Sequence, residues 1–164
     1  MIVIVFGLPG SGKSYFASRL SEALGAKYIS SDRLRRALFP VREYSLEEKK
    51  AVYDKMANLS KAAILQKEDV VLDGTFYRKD IRNSLWKELK GYGTLHIIEV
   101  IASEPIVQQR LLRPREYSEA DYGVYLKVKS QWQPFRAPHL TLQSTNENIK
   151  EMLKHALTHI KRQK

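Results

Sequence analysis

Residues 1–14 read MIVIVFGLPGSGKS, and they decide the fold. Ile2–Phe6 is a short apolar run made mostly of β-branched residues. A run without polar alternation predicts a strand buried on both faces. It ends in GLPGSGKS, where Gly7, Gly10 and Gly12 free the backbone for a tight turn. The next stretch, SYFASRLSEALG, has apolar residues at helical spacing and predicts a helix over Ser14–Leu24, closed by Gly25.

Outward from this unit the same alternation repeats. AKYIS, ending at Ser30, is a short strand, and Asp32–Leu38 starts a helix stopped by Pro40. Ser45–Lys67 is a long helical stretch, with Ser45 and Glu48 spaced as a capping box. Val70–Leu72 is a third strand ending at Asp73, and Lys79–Lys90 a helix ended by Gly91. Thr94–Ala102 is a strand, Pro105–Leu112 a helix broken by RPREY, and Ser118–Trp132 a helix with Ser118 as cap. His139–Gln143 is a fifth strand. Asn146–Lys161 is a helix with Ile149, Met152, Leu153, Ala156, Leu157 and Ile160 on one face. Strands alternating with helices predict an α/β fold: a parallel sheet covered on both faces, joined by right-handed crossovers. No linker or internal repeat interrupts the chain, so residues 1–164 are expected to form one domain.

Composition narrows the classes. The chain has no Cys, which excludes disulfides and thiolate metal sites. No apolar run reaches the length of a membrane span. The apolar N-terminus lacks a basic flank, and its removal would destroy the glycine-rich turn, so it does not read as a signal peptide. A cytoplasmic protein without a membrane partner is expected. The net charge is +10, from 28 basic and 18 acidic residues. That balance fits an anionic partner, nucleic acid included, or scattered solvated lysines. The final KRQK reads as a frayed tail.

Gly7, Gly12, Lys13 and Ser14 fit G-x-x-x-x-G-K-[ST], the Walker A pattern. Backbone N–H groups of Gly10, Ser11, Gly12, Lys13, Ser14 and Tyr15 would converge on phosphate, aided by the helix N-terminus. Lys13 would reach the β- and γ-phosphates of ATP, and Ser14 would offer its hydroxyl to Mg²⁺.

Ligands of such sheets sit at the carboxyl ends of the strands. GLPGSGKS, SSDRLRR and DGTFYR follow the first three strands and should meet in one cleft. Asp32 would be either a helix cap or a base that accepts a proton from an attacking hydroxyl. Arg35 shares its helix face and would hold substrate or transition-state charge, or form a local ion pair. Asp73, after VVL, has a Walker B-like place that would bind Mg²⁺, or is a turn residue before Gly74. Thr75, Arg78 and Arg82 follow, as substrate contacts or as surface residues. Arg110, Arg113 and Arg115 punctuate a segment of about residues 110–120 that would fold over ATP as a lid, or is a basic helix end. His155 and His159 lie one helical turn apart without a third metal ligand nearby. Trp86 and Trp132 read as packing residues, as do Phe39, Tyr44 and Tyr53, for which base stacking is the alternative.

Together, GLPGSGKS, SSDRLR, VVLDGTF and the late arginine segment resemble the P-loop kinases that include polynucleotide 5′-hydroxyl kinases, zeta toxins and chloramphenicol phosphotransferase. The resemblance spans nearly the whole chain, and the D-x-x-R spacing after the second strand narrows it most. It implies a three-layer, nucleoside-monophosphate-kinase-like P-loop NTPase fold with a five-stranded parallel sheet in the order 2-3-1-4-5. It implies Asp32 as general base, Arg35 as acceptor or transition-state arginine, and Asp73 beside the acceptor. It implies Arg113 as the lid arginine on ATP with Arg110 assisting, and adenine between the lid and the Ser144–Asn146 loop. The chain departs from the pattern in two places. Tyr15 stands where many relatives have Thr. GTFYRKDIR stands where the polynucleotide kinases have an asparagine-rich stretch, and this region faces the acceptor.

The expected function is therefore transfer of the γ-phosphate of ATP to a hydroxyl, first of all the 5′-hydroxyl of a polynucleotide. A small-molecule kinase of the same fold is the second reading: a closed pocket at Phe39–Tyr44 favours it, whereas a basic groove from Asp32 favours nucleic acid. A non-catalytic ATP-binding regulatory module is the third, in which Asp32 is only a cap.

Overall fold

The computed structural model describes residues 1–114 and 116–162. The elements run β1 (Ile2–Phe6), α1 (Lys13–Leu24), β2 (Lys27–Ser30), α2 (Ser31–Leu38), α3 (Leu46–Leu65) and β3 (Val70–Gly74). They continue as α4 (Lys79–Leu89), β4 (Leu95–Ile101), α5 (Glu104–Leu111), α6 (Tyr122–Ser130), β5 (Leu140–Gln143) and α7 (Ile149–Arg162). The five strands form one sheet in the order β2-β3-β1-β4-β5, every neighbouring pair parallel.

The first apolar run lies at the centre of this sheet. Its alternation is spatial, not chemical. Ile2, Ile4 and Phe6 pack on one face with Val52 and Met56 of α3 and Leu85 and Leu89 of α4. Val3 and Val5 pack on the other with Phe16 and Leu20 of α1 and Met152 and Ile160 of α7. All five β1 residues are buried. At ~1.5–3 kcal/mol for each buried large apolar side chain, this strand contributes roughly 10 kcal/mol of gross burial. Gly7 then brings the chain against β4 so closely that a Cβ would stand 2.2 Å from the Val100 carbonyl oxygen.

Several boundaries differ from the expectation, most of all at β3, α6 and α7. β3 continues through Asp73 and Gly74, which pair with Val5 and Phe6, so Asp73 is a strand residue and not a turn residue. α6 starts four residues later than its expected cap. Asp121, not Ser118, accepts from Val124 N at 2.8 Å, while Ser118 Oγ accepts from Ala120 N at 3.4 Å in the preceding turn. Trp132 lies beyond the helix end, where its ring stacks on Phe6 at 6.0 Å. α7 begins at Ile149 because Asn148 folds the residues before it: its amide donates to Gln143 O and its carbonyl accepts from Thr145 N, both at 2.8 Å. Lys161 and Arg162 belong to α7; the rest of the expected tail, residues 163–164, lies outside the described residues, as does Arg115. Among the described residues no helix is long and apolar enough to cross a membrane.

Candidate active site

Ile2–Phe6 delivers the glycine loop to the carboxyl end of the sheet, and α1 departs from it at Lys13. Gly12 caps α1 with φ 89°, a left-handed conformation. A Cβ there would meet Ser144 Oγ at 2.8 Å and Arg110 Nη1 at 2.9 Å. The first turn of α1 contains no acidic residue, so the positive end of its dipole is not offset locally. Lys13 is 7% exposed and forms no ion pair among the described residues. A nearly buried ammonium without a carboxylate partner is costly unless an anion sits beside it. Ser11 Oγ, within the same loop, is buried without a hydrogen-bond partner.

Two cavities meet at Lys13. The first, of about 440 Å³, is lined by loop residues Gly10–Phe16 in part, by Arg110 and Arg113, and by the 144–146 loop with Ile149 and Met152 behind it. Arg110 builds this cavity. Its guanidinium donates to Gly10 O (3.3 Å), Ser144 Oγ (3.1 Å), Thr145 O (2.8 Å) and Asn146 Oδ1 (3.1 Å). It ties the glycine loop to the β5–α7 loop, and burial lowers its pKa. Arg113 lines the same cavity from an exposed position, and Tyr15 lines it with a ring 58% exposed, Arg19 stacked on it at 5.4 Å.

The second cavity, of about 390 Å³, holds Asp32 and Thr75 beside Lys13. Tyr44, Tyr53 and Tyr77 supply aromatic walls, and Val124 and Lys127 of α6 close the opposite side. The loop before α3 is clasped to the segment before α6: Glu119 accepts from the Arg42 guanidinium and, at 2.7 Å, from the Tyr44 hydroxyl. Those two donors, Arg42 first, depress the Glu119 carboxyl to about 2, and burial followed by the bond to Glu119 pushes Tyr44 up to about 12. Arg36 donates to Glu116 O, and Tyr117 stacks on Arg33 at 4.6 Å, so the segment is held to α2 as well.

Asp73 is 2% exposed. Its Oδ2 accepts from the Tyr28 hydroxyl at 2.8 Å, and Oδ1 is buried without a partner among the described residues. Burial, then the Asp73 charge, raises the Tyr28 pKa far above the ordinary range. Tyr28 escaped the sequence reading; the signal available was an aromatic hydroxyl inside the short strand KYIS. The hydroxyl of Ser14 and the buried Oδ1 of Asp73, which has no hydrogen-bond partner among the described residues, are hard donors of the kind Mg²⁺ takes alongside phosphate and water, so the residues present fit that ion. No cluster of three or more His, Cys, Asp or Glu that could hold a metal exists among the described residues, His155 and His159 included.

Of three expected substrate contacts, Arg35 lies in the second cavity and Arg78 and Arg82 line neither of the two. Arg35 lines the second cavity, but its charge is matched: Nη1 lies 3.3 Å from Glu48 Oε2 with both side chains buried, and the guanidinium stacks on Tyr44 at 5.1 Å. Glu48 in turn accepts from Glu43 N and Tyr44 N at 2.8 Å each. The capping box is therefore half formed. Ser45 Oγ accepts from Glu48 N, while the Glu48 carboxylate holds the loop before it. Arg78 lies outside the cavity and forks onto Asp80 at 2.7 and 3.0 Å. Arg82 is buried and donates to Phe76 O and Gln133 O, fastening the chain after α6 to β3's outgoing loop.

Sheet order, glycine loop and covering helices define a P-loop NTPase fold of the kinase type. A sequence profile described as an AAA domain (AAA_33) matches residues 2–139, and the chain belongs to that family. No curated protein matches it. Among solved structures, a gluconokinase from Sinorhizobium meliloti 1021 superposes with a TM-score of 0.75 at 18% identity, over 98% of this chain and 91% of its own. The Mycobacterium tuberculosis APS kinase CysC, in complex with AMPPNP and APS, gives 0.74 at 18% identity, over 98% and 96%. Chaetomium thermophilum Kti12, in complex with ADP-AlF3, gives 0.74 at 21% identity, over 98% and 97%. At these identities the likeness is one of fold.

Proposed function

We propose that this protein transfers the γ-phosphate of ATP to a hydroxyl group of a small molecule carrying a negative charge. The observation that carries the reading is the pair of cavities sharing Lys13. One has the loop amides and Arg113 for a nucleotide. The other has Asp32 for an acceptor. Lys13 lies at the point where a phosphoryl group would pass between them.

In this reading the Gly10–Tyr15 amides and Lys13 hold the phosphates, and Arg110 shapes the nucleotide cavity while Arg113 stabilises developing charge. Ser14 and Asp73 would hold Mg²⁺, which when bound offsets charge on the β- and γ-phosphates. Asp32 orients the acceptor and takes its proton as the hydroxyl oxygen bonds to the γ-phosphorus. The bond from that phosphorus to the β–γ bridging oxygen breaks, and ADP leaves.

The second cavity is what favours a small acceptor over the polynucleotide first expected from the D-x-x-R resemblance. It is a bounded cavity of about 390 Å³ lined by three tyrosines, by α6 and by Glu119 of the Arg42–Glu119 clasp, where a nucleic acid would need a long basic groove. Arg35, the arginine of that motif, is already neutralised by Glu48. Lys13, Lys49 and Lys127 line the cavity and form no ion pair among the described residues, against the carboxylates of Asp32 and Glu43, while Arg35 is matched by Glu48 and Glu119 by Arg42; this balance supports an anionic acceptor. The three relatives above add two named kinases.

The test is label transfer from γ-labelled ATP with Mg²⁺ to a panel of hydroxy acids, sugar acids and phosphorylated polyols, with 5′-hydroxyl oligonucleotides alongside. Label on a small acid, lost in Asp32→Asn with nucleotide binding intact, supports the proposal. Label on the oligonucleotide alone restores the polynucleotide reading. Activity untouched by Asp32→Asn leaves Asp32 no more than a first-turn carboxylate of α2, whose N-cap position is held by Ser30 and not by Asp32 as the capping alternative had it.

A further inference from the structure

Tyr28 stands in β2, packed against the core on the α1 and α7 side of the sheet. Its hydroxyl donates to Asp73 Oδ2 at 2.8 Å, and the same oxygen lies 3.5 Å from the Ser14 carbonyl. One phenol oxygen thus touches both residues that would hold Mg²⁺. Phenylalanine would fill the same space without taking a polar atom out of water. The hydroxyl therefore has to be explained by what it holds. It holds one carboxylate oxygen, and it leaves the other, Oδ1, buried and without a partner among the described residues. On its outer side the ring is covered by the Arg33 guanidinium at 5.0 Å.

We propose that Tyr28 is a positioning residue for the Mg²⁺ site. Its hydroxyl fixes the rotation of the Asp73 carboxylate so that Oδ1 stays turned to the cation's shell. This rests on the reading of Ser14 and Asp73 given above. Partners that orient a metal's ligands typically set ~10–100-fold of metal affinity.

The experiment is a Mg²⁺ titration of ADP binding, followed with a fluorescent ADP analogue, in the wild type, Tyr28→Phe, Asp73→Asn and the double variant. Tyr28→Phe should bind ADP without Mg²⁺ as the wild type does, while its Mg²⁺ midpoint rises about tenfold. In the Asp73→Asn background the same change should add nothing, because the two act as one unit. An unchanged midpoint, or additive effects, would overturn the proposal. A wild type that binds no ADP at all has a different signature and overturns the phosphate-loop reading itself. A second measurement avoids any loss of folding in the variant. With 3-fluorotyrosine placed at position 28 alone, the hydroxyl is kept, and the fluorine resonance of the ADP complex should move when Mg²⁺ is added. A resonance that stays fixed counts against the role.

Discussion

Lys13 is nearly buried, positively charged, and common to both cavities. Replacing it by Met should abolish transfer and weaken nucleotide binding, read by the same fluorescent ADP titration. Gly12 is as sensitive for a steric reason. Gly12→Ala places a methyl against Ser144 Oγ and Arg110 Nη1 at a left-handed φ, so nucleotide affinity should fall by at least ~10-fold while the melting temperature moves less. Asp32→Asn should lower the turnover rate by about 10²–10⁴-fold and leave ADP affinity near wild type. At this scale the sequence is most informative where chemistry needs a fixed spacing, as from Gly7 to Ser14. It is least informative where a partner comes from far along the chain. Nothing in SSDRLRR shows that Arg35 will meet Glu48, and nothing in VVLDG shows that Tyr28 will take one oxygen of Asp73. Both are contacts made across strands and helices, invisible to local pattern.

Among the elements, the strands were legible because burial on both faces leaves an unbroken apolar run, as in β1 and β3. Helix starts were harder. Ser118 and Asp121 are both good caps, and the choice fell to Asp121 because the stretch from 116 to 120 is drawn onto α2 and the loop before α3. Stability should follow the same division. Arg35→Met breaks a buried pair and leaves Glu48 uncompensated, so the melting temperature should drop clearly. Arg78→Met removes an exposed fork onto Asp80 and should leave the unfolding midpoint nearly unchanged. In β3, Leu72 is fully buried, and Leu72→Ala should cost ~2–5 kcal/mol in urea unfolding.

Across the whole molecule, the clasp between Glu119 and its donors Arg42 and Tyr44 makes acid a probe of closure. A carboxylate held at about 2 contributes stability at and above its ordinary value near ~4.3, and that contribution is lost as pH falls toward 2. Wild type should therefore exceed Glu119→Gln in unfolding midpoint near neutral pH, and the gap should narrow below about pH 4 and close only by about pH 2. The difference is small, because the pair is largely exposed. Urea melts of both proteins at the two pH values read it directly.

The central place of β1 also sets an order of assembly. Ile2–Phe6 finds its partners only in residues 70–74 and 95–101. During synthesis at roughly 5–20 residues per second, the most apolar strand of the sheet waits several seconds, both edges open, before either neighbour exists. The glycine loop cannot take shape earlier, since Gly7 closes against Val100. Competence to hold a nucleotide thus arrives late, after the fourth strand shapes the glycine loop and the 144–146 loop joins it through Arg110, and until the neighbouring strands exist the same five residues are an aggregation hazard that the growing chain must shelter.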